Sequence, residues 1–250
     1  MKILLALLAA WLLMPASAAM ADQPGECAVA QPQLEHVFPL PNTQRAIASK
    51  QLTVLVLGSG SSTLPGPKGA DLAYPMRLQS ALRELLPGVT IKVAADIKQH
   101  RTAIETVKLL NKTLTDLKPA LVVWQTGTVE AMQGIDPDQF SQALDQGINI
   151  ARSTGADVLL VNAQYSPRTE SMIGLSTYAE NMRWVALQHE VPLFDRFEIM
   201  KFWADLGTFD LTGAANKLDI ATRVHNCIGW LLADFATDAA KQSGPQTEGR

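Results

Sequence analysis

Cysteine is nearly absent: the 250 residues hold two, Cys27 and Cys227. That scarcity excludes a disulfide-dense scaffold, and with only four histidines it leaves no zinc-ligand spacing. Positive charge is not in excess either. A formal net charge of −3 and a pI near 5.8 give no basic footprint for nucleic acid. The apolar run Ile3 to Met14 is too short to cross a bilayer, so no stable membrane span is expected. No flavin, haem or metal signature stands anywhere in the chain, and no cofactor is expected. Internal repeats and a second domain are missing as well.

What is present suits one well-packed domain, with 47% hydrophobic and 18% charged residues. The N-terminus reads as an export signal. Met1-Lys2 is positive, an apolar stretch follows, and Ala16-x-Ala18 and Ala19-x-Ala21 both fit a signal-peptidase site. No cysteine follows to take a lipid anchor. The expected division is a signal peptide over 1–21, an irregular arm over 22–50, an α/β domain over 51–240, and a disordered tail over 241–250. Prolines at 24, 32, 39 and 41 argue against regular structure in the arm. The mature chain is expected in the periplasm or outside the cell, where Cys27 and Cys227 predict a disulfide, two free buried thiols being the alternative.

From Leu52 onward strands and helices alternate. "LTVLVLG", "PGVTIKVAA", "PALVVWQTG", "ADVLLVNA" and "VPLFD" read as five strands, the β-branched runs among them as strands buried on both faces. Between them Tyr74, Leu78, Ala81, Leu82 and Leu85 recur at helical spacing, as do Ile104, Val107, Leu110 and Leu114. Asp136 and Pro137 open a helix that Gly155 ends, and the last helix is expected from about Thr222 to Phe235. The pattern predicts a three-layer α/β/α sandwich with a five-stranded parallel sheet and its site at the carboxyl ends of the strands.

The first strand exit, "GSGSSTLPG", lacks the lysine of a P-loop and the third glycine of a dinucleotide turn. It can hold a nucleophilic serine or simply turn the chain. A serine needs a base within hydrogen-bond reach and an oxyanion hole before it reacts.

That turn, followed by "YPMRL", "KPALVVWQTGT", "GADVLLVNAQYSP", "VPLFDRFEIMKFW" and a late cysteine before "LLADF", resembles the SGNH (GDSL-type) hydrolases and within them an exported bacterial subgroup. The resemblance runs from Cys27 to about Phe235. It implies ester hydrolysis by a serine in the first block. Anchoring on Thr63 places the nucleophile at Ser61, with Ser59 in reserve; anchoring on Gly58 places Gly60 there. The second-block glycine has no counterpart in "AADIKQHRTA", where Ile97, Gln99 and His100 stand instead. The third block reads Gly127-Thr128-Val129-Glu130, with valine where an asparagine amide would donate to the oxyanion. Losing such a donor costs about a hundred- to a thousandfold in turnover. The aspartate and histidine of the last block fall at Asn216 and Asp219.

The catalytic candidates are therefore Ser61, with His100 or Asp219 as base, and Ser59, Gly127, Thr128 and Tyr165 as oxyanion or binding groups. His225 is expected inside the last helix as a satisfied side chain, His36 and His189 on the surface, and Glu130 as a solvated loop charge. Trp124 reads as core, Trp203 and Phe202 as an anchor or the edge of a lid. Two functions follow. One is an exported esterase or deacetylase acting on a small ester or O-acetylated glycan. The other is an inactive relative that binds a glycan or an envelope partner. Oligomeric state is not legible.

Overall fold

The computed structural model describes residues 25–30, 33–35, 38–213 and 217–242. The expected signal peptide, His36, Asn216 and residues 243–250 lie outside the described residues.

The strands form where apolar runs favour pleated, doubly buried backbone. β1 (Gln51–Gly58), β2 (Thr90–Ile97), β3 (Leu121–Gln125), β4 (Asp157–Val161) and β5 (Leu193–Phe194) make one sheet in the order β2-β1-β3-β4-β5. Every pairing is parallel. Period-2 alternation sends successive side chains to opposite layers. Leu52, Val54 and Val56 join one core with α3 (Tyr74–Leu85) and α10 (Lys217–Lys241). Leu55 and Leu57 join the other, with α4 (Ala103–Leu117), α6 (Pro137–Ser153) and α8 (Leu175–Gln188). Trp124 lies in that second core, 1% exposed.

The remaining helices are short: α1 (Pro41–Ala48), α2 (Gly69–Leu72), α5 (Thr128–Gln133), α7 (Pro167–Ile173) and α9 (Arg196–Asp205). Two expected boundaries change. The arm is not wholly irregular, because Pro41 occupies the first turn of α1, where its missing N–H costs nothing. The last helix starts earlier than Thr222 and continues to Lys241, so Asp219 lies in its first turn rather than in a loop. Cys27 and Cys227 are joined in a disulfide that ties the arm to α10. Trp203 is fully buried and donates from Nε1 to the Ala28 carbonyl at 3.0 Å, an anchor for the arm rather than a lid. Among the described residues no helix is long and apolar enough to cross a membrane.

Candidate functional site

The chain runs from β1 to β2 on one side and returns to β3 on the other, so the exits of β1 and β3 flank the reversal of strand order. Ligand sites of parallel sheets lie at such points. The serine turn leaves β1 there, as extended Ser59 followed by a 3-10 turn over Gly60–Ser62. Gly58 is required beneath it, since a Cβ at that position would collide with the Ser62 side chain.

Ser62, fully buried, is the centre of the turn's polar contacts. Its hydroxyl donates to Gln125 Oε1 at 2.7 Å and lies 3.1 Å from the Tyr74 hydroxyl. The amide oxygen only accepts, so Tyr74 must be the donor to Ser62. Gln125 Oε1 also accepts from the Ser61 hydroxyl at 3.1 Å and from the Ser59 N–H at 3.4 Å. An amide cannot take a proton from serine, and burial holds the Tyr74 phenol above its ordinary value. The network orients the serines without activating them.

Two buried side chains close the arrangement. Arg196, 0% exposed, donates from Nη1 to the Ser61 carbonyl at 3.0 Å and from Nη2 to Gln164 Oε1 at 3.1 Å. Its guanidinium lies 5.5 Å from the centre of the Tyr74 ring, and burial lowers its pKa to about 10. The start of α9 fixes it in place. Asp195 caps Glu198 N–H and accepts from Asn162 Nδ2 at 2.7 Å and Arg183 Nε at 2.7 Å. Asn162 Oδ1 in turn accepts the Phe197 N–H.

His225, on α10, accepts the Tyr74 backbone N–H at Nδ1, 3.0 Å away. Burial, and then the charge of Arg196, push its pKa down to about 3, so the ring is neutral and its proton sits on Nε2. Neither nitrogen is left to accept a proton from serine.

The expected candidates are not brought together. Ser61 stands in the turn, half-buried, with its hydroxyl on Gln125. His100 is exposed, with positive φ, and no histidine hydrogen-bonds to Ser59, Ser61 or Ser62 among the described residues. Ile97 and Gln99 do stand against the turn, at Gly58 and Gly60. Asp219 is exposed and faces Arg223 at 3.8 Å.

The Gly127 N–H, expected at the oxyanion, instead donates to Glu130 Oε2 at 2.8 Å. Glu130 is not a solvated charge but 1% exposed. Its other oxygen accepts from Thr126 Oγ1 at 3.0 Å and the Ala103 N–H at 2.6 Å, so it caps α4 and α5 together. Thr128 is buried in the first turn of α5, its hydroxyl without a partner among the described residues. His189 pairs with Asp145 at 2.7 Å, far along the chain from the turn.

Beside the serine turn lies a cavity of about 180 Å³ between α9, α10 and the exit of β4. Gln164, Ser166, Arg196, Lys217, His225 and Asp210 supply its polar lining. Tyr165 lines it as well, resting edge-on against Phe197. Among the described residues no group of histidine, cysteine and carboxylate side chains could hold a metal ion.

Tyr74, Gln125 and Arg196 are the site residues that sequence reasoning missed, whereas His225 is the satisfied helix histidine it expected. Arg196 and His225 left a trace. Arg196 shares a helical stripe with Ile199, Met200 and Trp203, and His225 shares one with Ile228 and Leu232.

Comparison with known proteins matches this geometry. The fold is that of the lipase/acylhydrolase from Enterococcus faecalis, at a TM-score of 0.61 with 16% identity over 77% of this chain and 100% of that one. TesA superposes at 0.56 with 24% identity over 73% and 99% of the two chains. AlinE4, an SGNH-hydrolase family esterase, superposes at 0.51 with 17% identity over 62% and 80%. No protein of curated function matches the sequence. Residues 26–242 match the non-GDSL lipase-like family. With the five parallel strands and the serine turn at the reversal of strand order, the chain belongs to that family, on the SGNH-hydrolase fold.

Proposed function

We propose that this protein is an exported, non-hydrolytic member of its family, and that its cleft binds a small envelope molecule instead of cutting an ester. One observation carries the reading: the Ser61 and Ser62 hydroxyls end on the Gln125 amide, which takes no proton. Two others support it. The nearest buried histidine is neutral and has Nδ1 occupied, and the Gly127 N–H is committed to Glu130. Export rests on the leader-like N-terminus and agrees with the Cys27–Cys227 disulfide.

Ester hydrolysis is the second reading. It is favoured by family membership and by the half-buried position of Ser61, the serine of the turn with access to solvent beside Gly60. His100 or Asp219 would then have to reach it as base, on a small ester or an O-acetylated glycan.

Labelling with a fluorophosphonate probe, alongside p-nitrophenyl acetate turnover, separates the two. The expected result is no labelling of folded, disulfide-bonded protein and the same background turnover in wild type and Ser61→Ala. Labelling that disappears in Ser61→Ala would establish the hydrolase.

A further inference from the structure

The sheet ends on one side at β2, which pairs with β1 alone. The Thr90 and Lys98 N–H groups donate to the Lys50 and Gly58 carbonyls, so the even-numbered residues of β2 turn their backbone groups toward β1. Those of Ile91, Val93, Ala95 and Ile97 therefore face outward along the free edge. Two of these groups are guarded from α3. Gln79 Oε1 accepts the Val93 N–H at 3.0 Å, and Arg83 Nη2 donates to the Ile91 carbonyl at 3.3 Å. The Val93 carbonyl and both backbone groups of Ala95 have no partner among the described residues. An eight-residue edge with open groups is a template for another strand.

The side chains of β2 specify which strand fits. Ile91, Val93 and Ile97 pack into the α3 layer and Ala94 into the α4 layer, so by alternation Lys92, Ala94 and Asp96 share the α4 face. On that face a groove of about 300 Å³ runs between β2 and α4, lined by Ala94, Asp96, Thr113 and Asp116. Its charged groups are both carboxylates. Asp96 gives Oδ2 to Arg101 at 2.8 Å and keeps Oδ1 free, and Asp116 pairs with Lys112 at the surface. Lys92 is exposed and pairs with no carboxylate among the described residues. When β2 is set antiparallel to itself about a two-fold axis at Ala94, Lys92 falls opposite the second copy's Asp96, and Asp96 opposite its Lys92. Val93 then meets Ala95 and Ile91 meets Ile97, which brings the outward backbone groups into bonding pairs. Moving the axis to Ala95 sets Lys92 against the copy's Lys98, and moving it to Val93 leaves Lys92 opposite Ala94.

We propose that the β2 edge docks a second copy of this chain, strand against strand about a two-fold axis at Ala94, so that two five-stranded sheets become one continuous sheet. The charge pattern is self-complementary, as a two-fold interface requires, and every cross-strand ion pair occurs twice. Arg83 can stay on the Ile91 carbonyl, which has a second lone pair. Gln79 cannot stay on the Val93 N–H, and it gives way to the second copy's Ala95 carbonyl. Gln79 is thus a competitor for the edge, present in the single chain and displaced in the pair. The interface goes beyond the reading of the cleft and is independent of it, whether or not the serine turn cuts an ester.

Analytical ultracentrifugation of the mature, disulfide-bonded protein tests the interface, with cysteine cross-linking to read its register. Wild type should show a reversible monomer–dimer equilibrium. Lys92→Glu sets like charges across both pairs and should weaken the dimer about tenfold. Ala95→Pro removes an outward N–H that the single chain does not use, so it should leave the far-UV dichroism unchanged and abolish the dimer. Gln79→Ala removes the competitor and should tighten the dimer. In the paired strands Ala94 faces its own copy at a Cα separation of roughly 4.5 Å, within disulfide reach, whereas the two Lys92 residues stand about 13 Å apart. Mild oxidation should therefore cross-link Ala94→Cys into a covalent dimer and leave Lys92→Cys uncross-linked. Protein that stays monomeric up to roughly 1 mM overturns the proposal, the edge then serving a different chain or none. So does a dimer that survives Ala95→Pro, which would place the interface elsewhere, or cross-linking of Lys92→Cys in preference to Ala94→Cys.

Discussion

The serine turn and the cavity beside α10 occupy the same end of the sheet, but their polar atoms are treated differently. In the turn every hydroxyl with a hydrogen bond points at one acceptor, Gln125 Oε1, and the network closes on itself with Tyr74. Beside the cavity the buried cation Arg196 has two neutral acceptors and a ring face, and no carboxylate pairs with it among the described residues. A satisfied buried network holds a backbone in one shape, whereas a buried cation with neutral partners alone is held at a cost.

Three measurements sharpen that contrast. The largest effect should come from Gln125→Leu, which leaves the donors of Ser59, Ser61 and Ser62 without their acceptor. At about 1–3 kcal/mol for each buried donor left unmade, urea unfolding should show a loss of about 3 kcal/mol or more. A loss under about 1 kcal/mol would mean that the network does not hold the turn.

Next comes pH. His225 has a folded pKa of about 3, below the unfolded value of 6.5, so the unfolded chain binds the extra proton between those limits. Stability from this group is complete above pH 6.5 and falls as pH drops toward 3. The loss is up to about 1.4 kcal/mol per unit, or roughly 2 kcal/mol from pH 6.5 to 5. His225→Asn should flatten the curve by that amount, and an unchanged slope would place the ring in water.

The smallest effect separates the serines. Ser62→Ala removes a buried hydroxyl with two partners and should cost about 1–2 kcal/mol. Ser61→Ala, half-buried with one partner, should cost about 0.5 kcal/mol. Equal values would show that burial does not rank the two.

The sheet was legible because periods of 2 and 3.6 residues are written directly into runs such as "LTVLVLG" and the Tyr74–Leu85 stripe. Helix α1 was hidden because prolines at 39 and 41 look like breakers, although at the first turn a proline favours the helix. Glu130 was misread for a similar reason. A carboxylate three residues after Gly127 looks solvated until α4 brings the Ala103 N–H against it. The serine turn could be found from its glycines and serines. Its wiring could not, since Gln125 and Arg196 stand 64 and 135 residues from Ser61 and only the fold makes them neighbours.

The Cys27–Cys227 bond has a topological consequence. It turns the residues between 27 and 227 into one covalent ring that holds the whole sheet and, among the described residues, nine of the ten α-helices in full. A single protease nick in any loop of that ring opens it into a line without releasing a fragment. Nicked protein should therefore migrate as one species until a reductant is added, and a wounded molecule keeps its two parts at a local concentration that favours rejoining their strands.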